Sequence, residues 1–434
     1  MKTQRHKYLV FSPPFSGHLH PNLGLALHLS IENEVAVVST PSAEKAIRAA
    51  GLRSIIALKT RENEVQAIAN PGVRVKNNPY RLYKQLKANL GLMDDLQIET
   101  QDILTTEKPD AVIVDFTLPV AGLIAERRSI PWFTTLSAPC AFEGKTGPAA
   151  YMGGVYPGST AFHRLRDYLH RKTVRMFKRL LFVVFRADLK RLGIPSPYYA
   201  NGNERIYSQL RTFALGMKEI EFDRGCSSNF SLVGPILYTP PVNGISPLFI
   251  EGKKHVLITL GTHLQFMKND VLSLIQASAR TLPDVVFHFS YGDAESSLFE
   301  ANGNVHRYGF ISYADHLHRY DAVIHHCGTG IMYECIRHGI PVVSYPVDYD
   351  QFDNAVRLKK AGIAVHRVRP DRLTDAIVEA LESSSIRAAS SRLRQSFSNY
   401  NAVHQIQREI ETLIASALTP AEEARKESNR QERV

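Results

Sequence analysis

Short apolar runs alternate along most of the chain with stretches in which apolar positions recur every three or four residues. KYLVFS, near the N-terminus, is continuously apolar, the pattern of a strand buried on both faces. NLGLALHLS, after Pro21, has the helical period with proline close to its start. EVAVVS reads as a second strand, and PSAEKAIRAAG as a helix closed by glycine. PDAVIVDF, PVAGLIAERRS and IPWFTTL continue the strand–helix–strand order. The alternation pauses and then resumes with KHVLITLG, a helix after Asn269, DVVFHFS, YDAVIHH, IPVVSYP and AGIAVHRV. Repeated β–α alternation predicts the α/β class, with parallel, doubly wound sheets. The pause includes a Pro- and Gly-rich stretch at 232–247, LVGPILYTPPVNGISP, which reads as a linker between two α/β domains. Ligands of such sheets bind beyond the carboxyl ends of the strands, so the loops there carry the candidate chemistry.

A length of 434 residues is enough for two domains with separate cores. The four cysteines form no CxxC pair, which favours a reducing, cytoplasmic setting with buried thiols. The apolar run at the N-terminus is short and stopped by Pro13-Pro14, so it reads as a strand and not as a signal peptide. The longest apolar run, Leu180 to Phe185, is too short to span a bilayer. Net charge is +10 and unevenly spread: His163 to Arg191 holds ten Lys or Arg against Asp167 and Asp188. PAEEARKESNRQERV, at the C-terminus, lacks an apolar stripe and is expected to be disordered.

HHCGTGIMYECIRHGIPVVSYPVDYDQFDN, residues 325–354, follows one of the predicted strands. Gly328, Thr329 and Gly330 make a turn that lets backbone approach a ligand closely, and the helix that follows offers unpaired N–H groups and about half a positive charge, which suits phosphate. His326 can donate to the same anion. Glu334, inside the helix, can accept from hydroxyls such as those of a ribose. Asp350 and Gln351 follow the next strand, and an acid beside an amide suits the hydroxyls of a sugar. Near the N-terminus, His18 lies between the first strand and its helix, over the same kind of edge. Deprotonating a hydroxyl needs a base titrating near the working pH, and Asp115, ending another strand, could orient and stabilise the imidazole.

His326, Gly328, Glu334, Pro341, Pro346, Asp350, Gln351 and Asn354, eight positions over 29 residues, resemble the donor signature of family 1 glycosyltransferases. VHRYGFISYADHL resembles that family's segment in which an aromatic stacks on the nucleobase, here Phe310 with Ile311 beside it. LITLGTH, with Gly261 and Thr262, fits its other donor loop. SGHLHP, with Gly17 and His18, resembles its Gly-His-x-x-Pro turn, whose histidine is the base, and Asp115 matches the aspartate that orients it. The resemblance implies a GT-B fold of two Rossmann-like domains facing a cleft. An acceptor domain would occupy 1–240 and a donor domain 248–395; a helix at 396–418 would return to the first domain, followed by a disordered tail at 419–434. It also implies an inverting transfer of a hexose from a UDP- or dTDP-sugar to a hydroxyl of a small hydrophobic acceptor, with no metal or other cofactor. Departures are Ile331, where Ser or Thr is common, and Ser312-Tyr313 in place of Pro-Gln.

Other readings carry less of the pattern. His20 could be the base instead of His18. Asp348-Tyr349-Asp350 spells a metal-binding DxD, and HHC could suggest a metal, but Cys327 and Cys335 have no matching partners. Gly328-Thr329-Gly330 lacks the third glycine of a dinucleotide fingerprint. An epimerase on the same fold would need no His18–Asp115 pair, and an idle partner subunit would need neither that pair nor the donor signature. In the basic segment Phe162, Leu165, Leu169, Met176, Leu180 and Val184 recur near helical spacing. The plain expectation is a long helix with its charges in solvent, and the sharper one is peripheral contact of 163–191 with an anionic membrane at its inner face. No nucleic-acid-binding motif accompanies the charge.

Overall fold

The computed structural model describes residues 5–69, 78–240, 245–262, 265–366 and 369–431. Two seven-stranded sheets form its centre. The first contains β1 (Lys7–Phe11), β2 (Glu34–Ser39), β3 (Arg53–Ile56), β4 (Ala111–Asp115), β5 (Trp132–Leu136), β6 (Thr212–Ala214) and β7 (Phe230–Leu232), in the order β3-β2-β1-β4-β5-β6-β7. The second contains β8 (Lys254–Thr259), β9 (Val285–Ser290), β10 (Phe299–Asn302), β11 (Val305–Tyr308), β12 (Ala322–His325), β13 (Val342–Ser344) and β14 (Ala364–Val365), in the order β10-β11-β9-β8-β12-β13-β14. Every pairing is parallel except the β10–β11 hairpin. Strand order reverses direction beside β1 in one sheet and beside β8 in the other, so each sheet has its switch point at its first strand.

Each sheet is buried on both faces, which is why its central strands are continuously apolar. In β1, Tyr8 and Val10 join one core, while Leu9 and Phe11 join the core on the opposite face. The helices that matter for the site are α1 (Ser16–Leu29), α2 (Pro79–Glu107), α3 (Ala161–Val184), α4 (Arg186–Arg191), α5 (Thr329–His338), α6 (Gln351–Lys360) and α7 (Ala402–Gln431). α7 follows the second sheet but inserts Ala402, Ile406, Ile410 and Ile414, a four-residue stripe, into the core of the first. Its helix continues to Gln431, through the stretch expected to be disordered. Ala, Glu, Arg and Lys there favour helix without needing a core to pack on. Part of the Pro- and Gly-rich linker, 241–244, lies outside the described residues.

The basic segment departs from the plain expectation. α3 is a single 24-residue helix, but most of its apolar stripe points away from the protein: Phe162 is 72%, Leu169 52%, Met176 67% and Leu180 57% exposed. Charge lies underneath instead. Arg175 Nε donates to Glu143 at 2.7 Å, and Lys178 Nζ bonds Glu143 at 2.7 Å and also pairs with the buried Glu204. Two cations that sequence patterning sends to solvent are drawn inward because two carboxylates wait beneath the helix.

Candidate active site

β4 delivers Asp115, fully buried, to the carboxyl edge of the first sheet, and α1 begins beside it after the Ser12–Phe15 loop. His18 lies in the first turn of α1, and its Nδ1 is 3.1 Å from both oxygens of Asp115. Asp115 is itself held in place. Thr117 donates its backbone N–H at 3.0 Å and its hydroxyl at 2.6 Å, and Asn22 Nδ2 donates at 3.4 Å. Asn22 lies one turn beyond His18, donates to the His18 carbonyl at 2.9 Å, and accepts from the Thr135 hydroxyl at 2.9 Å. Ser137 Oγ lies 3.4 Å from His18 Nδ1, and the Phe116 ring stands 5.5 Å from the imidazole. With Nδ1 committed to the carboxylate, Nε2 remains as the proton acceptor. Burial opposes protonation of His18, but the charge of Asp115, its hydrogen bond and the field of Asp350 outweigh this and raise the pKa above the ordinary 6.5. His20 is different, because burial pushes it down to about 4.

The loops that carry this pair also wall an apolar cleft. Its lining includes Pro13, Phe15, Leu58, Met93, Thr117 and Leu118. Helix α2 closes one side with Asn89, Leu92, Met93 and Leu96.

The second domain brings three strand ends together. Gly261 follows β8, Gly292 follows β9, and His326 and Gly328 follow β12. A side chain at Gly328 would place Cβ 2.5 Å from His326 Nε2, and one at Gly261 would place it 2.9 Å from His326 Cε1. One at Gly292 would lie 2.5 Å from the Gly261 carbonyl oxygen. Gly261 and Gly328 therefore make the space in which the His326 ring sits, Gly292 lets the Gly261 loop approach, and Gly261 and Gly292, with φ of 75° and 71°, also need the left-handed conformation. Gly328 caps α5, whose first turn contains Thr329 and the exposed Gly330. His325, next to His326, is fully buried, accepts from Cys327 N at 2.9 Å, and is pushed down to about 3 by burial. It is a neutral core residue.

Asp350 and Gln351 open α6 on the same rim. Burial raises the Asp350 carboxyl, and hydrogen bonds together with the charges of His18 and Arg357 offset part of this. Asn354 Nδ2 bridges Asp350 Oδ2 at 3.0 Å and the Cys327 carbonyl at 2.9 Å, tying the two donor-side loops together.

Residues 273–413 match the family described as erythromycin biosynthesis protein CIII-like, C-terminal domain. Over 311 residues the chain is 27% identical to 4'-demethylrebeccamycin synthase of Lentzea aerocolonigenes, covering 68% of this chain and 71% of that one. It is 25% identical to human UDP-glucuronosyltransferase 2B15 over 60% of its own length, and spans 52% of that relative. The kitacinnamycin glycotransferase superposes with a TM-score of 0.73 at 20% identity over 95% of this chain and all of the other. The calicheamicin glycosyltransferase CalG4 does so at 0.69, 20% identity, and 95% and 99% coverage. The spinosyn rhamnosyltransferase SpnG, solved with thymidine diphosphate, superposes at 0.61, 18% identity, and 93% and 100% coverage. The chain has the GT-B fold of these glycosyltransferases.

Several candidate residues have neighbours that sequence spacing does not reveal. Ile311 is only 1% exposed and joins the second domain's core, so only its backbone can face a ligand, while Phe310 beside it stays half-buried on the loop after β11. Ile331 is likewise a core residue, 4% exposed, which explains an apolar residue at a position where a hydroxyl was expected. Glu334 is buried, and Arg337 Nη2 is 2.8 Å from its Oε2. Burial raises its carboxyl and Arg337 pulls it back. Gln351 uses its side-chain oxygen inside the loop, accepting from Val347 N at 2.8 Å and Asp348 N at 3.0 Å, which leaves its amide N–H groups for a ligand. Asp350 therefore offers a carboxylate acceptor beside the amide donor of Gln351. Asp348, 8% exposed, caps the turn by accepting from Tyr349 N at 2.9 Å. Thr262 is exposed beside Gly261. Gly17, exposed in the first turn of α1, has nothing within 4 Å of where a Cβ would stand.

Proposed function

We propose that the protein transfers a hexosyl group from a nucleoside-diphosphate sugar to a hydroxyl of a small hydrophobic acceptor, with inversion at the anomeric carbon. The observation that carries this reading is the oriented His18–Asp115 pair, whose flanking residues Pro13, Phe15, Thr117 and Leu118 line an apolar cleft, with the Asp350 charge close enough to act on His18. The acceptor would lie in the cleft with its hydroxyl at His18 Nε2. As the acceptor oxygen bonds the anomeric carbon, its proton passes to Nε2 and Asp115 stabilises the imidazolium. The bond from that carbon to the diphosphate oxygen breaks on the opposite face, so one displacement inverts the configuration. The leaving diphosphate would meet the N-terminus of α5, with the Gly261 and Gly328 loops close to it. Asp350 and the Gln351 amide would hold the sugar hydroxyls, and Phe310 the base.

Thymidine diphosphate in SpnG supports trying dTDP-sugars beside UDP-sugars. Four unpaired thiols, three of them buried, support a cytoplasmic setting. Because the helix terminus and His326 can meet the diphosphate charge, we propose that transfer needs no metal. With a UDP- or dTDP-sugar and a phenolic acceptor panel, NMR of the product should show the anomeric configuration opposite to the donor's, and turnover should survive EDTA. Retention would remove the single displacement, and EDTA loss rescued by Mg²⁺ or Mn²⁺ would put a metal at the diphosphate.

Gly328→Ala tests the donor side. Its Cβ would intrude on His326, and overpacking of this kind costs about 1–3 kcal/mol. Calorimetry should show UDP or dTDP affinity lowered by roughly 5- to 150-fold, with the fold intact by circular dichroism. Unchanged affinity for both nucleotides would place the diphosphate elsewhere.

A further inference from the structure

α3 wears its apolar stripe on the outside. Phe162, Leu165, Leu169, Met176, Leu180 and Val183 are between 52% and 72% exposed and follow one line down the helix. The opposite, inward line holds Asp167, Val174, Lys178 and, just past the C-terminus, Phe185. A globular helix has these faces the other way round. Alongside the stripe run the exposed cations Arg164, Lys172 and Arg179, with Lys172 above the Tyr168 ring at 5.3 Å. No acidic side chain of the element reaches solvent, because Asp167 and Asp188 are buried and paired with Arg166 and with Lys87 and Arg191.

We infer that α3 is an interfacial helix that seats the protein on an anionic membrane surface. Its apolar stripe would enter the headgroup boundary and its cationic border would meet lipid phosphates. Charge decides between occupants. A second copy packed through the same stripe would set one cationic border against another, with no exposed acid on either helix to answer it, whereas an anionic bilayer complements both the stripe and the border.

The same helix connects with the cleft. α3 runs into α4, and α4 is fastened to α2, the wall of the cleft, by Lys87–Asp188 at 2.7 Å and Arg191–Asp94 at 2.8 Å. Tyr83 of α2 stacks on Phe185 at 5.2 Å. If the transferase reading above holds, a membrane-dissolved acceptor would reach an apolar cleft whose wall is tied to the docking helix.

Sedimentation with vesicles tests the docking without donor, acceptor or turnover, so it stands or falls separately from the transferase reading. The full chain should bind phosphatidylcholine vesicles containing phosphatidylglycerol at low salt, release as salt rises, and ignore pure phosphatidylcholine. Lys172→Gln with Arg179→Gln should lower the partition coefficient on the order of 20-fold. Leu169→Ser with Leu180→Ser should lower it at least as far. All four positions are exposed, and a circular dichroism melt matching the parent would verify folding. A parent that stays in the supernatant at low salt overturns the proposal. So does a parent dimer that Leu169→Ser and Leu180→Ser dissociate, which would make a second copy the occupant.

Discussion

His18→Ala should lower the transfer rate by about 10² to 10⁴, the contribution of a positioned general base, while leaving affinity for the nucleoside diphosphate unchanged. The side-chain hydrogen bonds of His18 go to Asp115 and Ser137 of its own domain, so the loss should fall on kcat and not on nucleotide binding. Asp115→Asn should approach the same loss by a different route. The asparagine amide would donate to Nδ1, forcing the proton onto Nε2, which could then no longer receive one. The pH profile separates the two roles. In the parent, the base is active only when neutral, and Asp115 raises its pKa, so the rate should fall as pH drops through a value above 6.5. In Asp115→Asn the largest raising charge is gone and burial is opposed only by the smaller effect of Asp350, so the acid limb of the residual rate should move to lower pH. A profile with its acid limb unmoved would show that Asp115 does not act on His18. Parent-like turnover in His18→Ala would remove the histidine from the chemistry altogether.

This pair was legible in the sequence because each partner ends or follows an apolar run, and a parallel sheet brings such ends to one edge. The residues that hold it were not. Asn22 is one helical turn from His18, a spacing shared by most polar residues on exposed helices, and only its burial at 1% sets it apart. Ser137 follows β5 as Asp115 ends β4, so strand-end polarity was an available signal there. The weaker strands escaped for a related reason. β6 and β7 have three residues each, and β3 reads RSII with only half-buried positions after its exposed arginine, so none offers a long apolar run. α3 is the opposite case. Its periodicity was plain, but period alone does not say which face turns inward. Glu143 and Glu204, distant in sequence, reversed the usual choice by drawing Arg175 and Lys178 beneath the helix.

The relation between the two domains was invisible to pattern altogether, and a buried ion pair is among the contacts that set it. Arg357 of α6 donates from Nε to Glu221 at 2.9 Å, and both are at most 6% exposed. Glu221 belongs to the segment between β6 and β7 of the other domain. Arg224, three residues on, lies 3.7 Å from the second Glu221 oxygen and donates to the carbonyls of Pro139, Cys140 and Phe142. Lys360 reaches the Glu221 carbonyl at 2.9 Å, and the Arg357 guanidinium lies over the Phe222 ring at 4.4 Å. Burial alone would lower the Arg357 pKa, but Glu221 overcomes this and raises it. Glu221→Gln would leave two guanidiniums buried without their carboxylate, and removing one partner of such a pair costs about 3–5 kcal/mol. Arg357→Met should cost a similar amount by leaving Glu221 with only Arg224 at 3.7 Å. Replacing both, Glu221→Leu with Arg357→Met, should cost much less than the sum of the single losses, since an apolar pair of similar volume leaves no buried charge uncompensated. Urea denaturation midpoints with unchanged slopes would read these differences. Because Asp350 and Gln351 sit at the start of the helix that Arg357 anchors, each single variant should also lower kcat/KM. Single losses below about 1 kcal/mol, the level of a surface pair, would mean that the interface is held by its apolar contacts and that Arg357 does not fix how the donor rim faces His18.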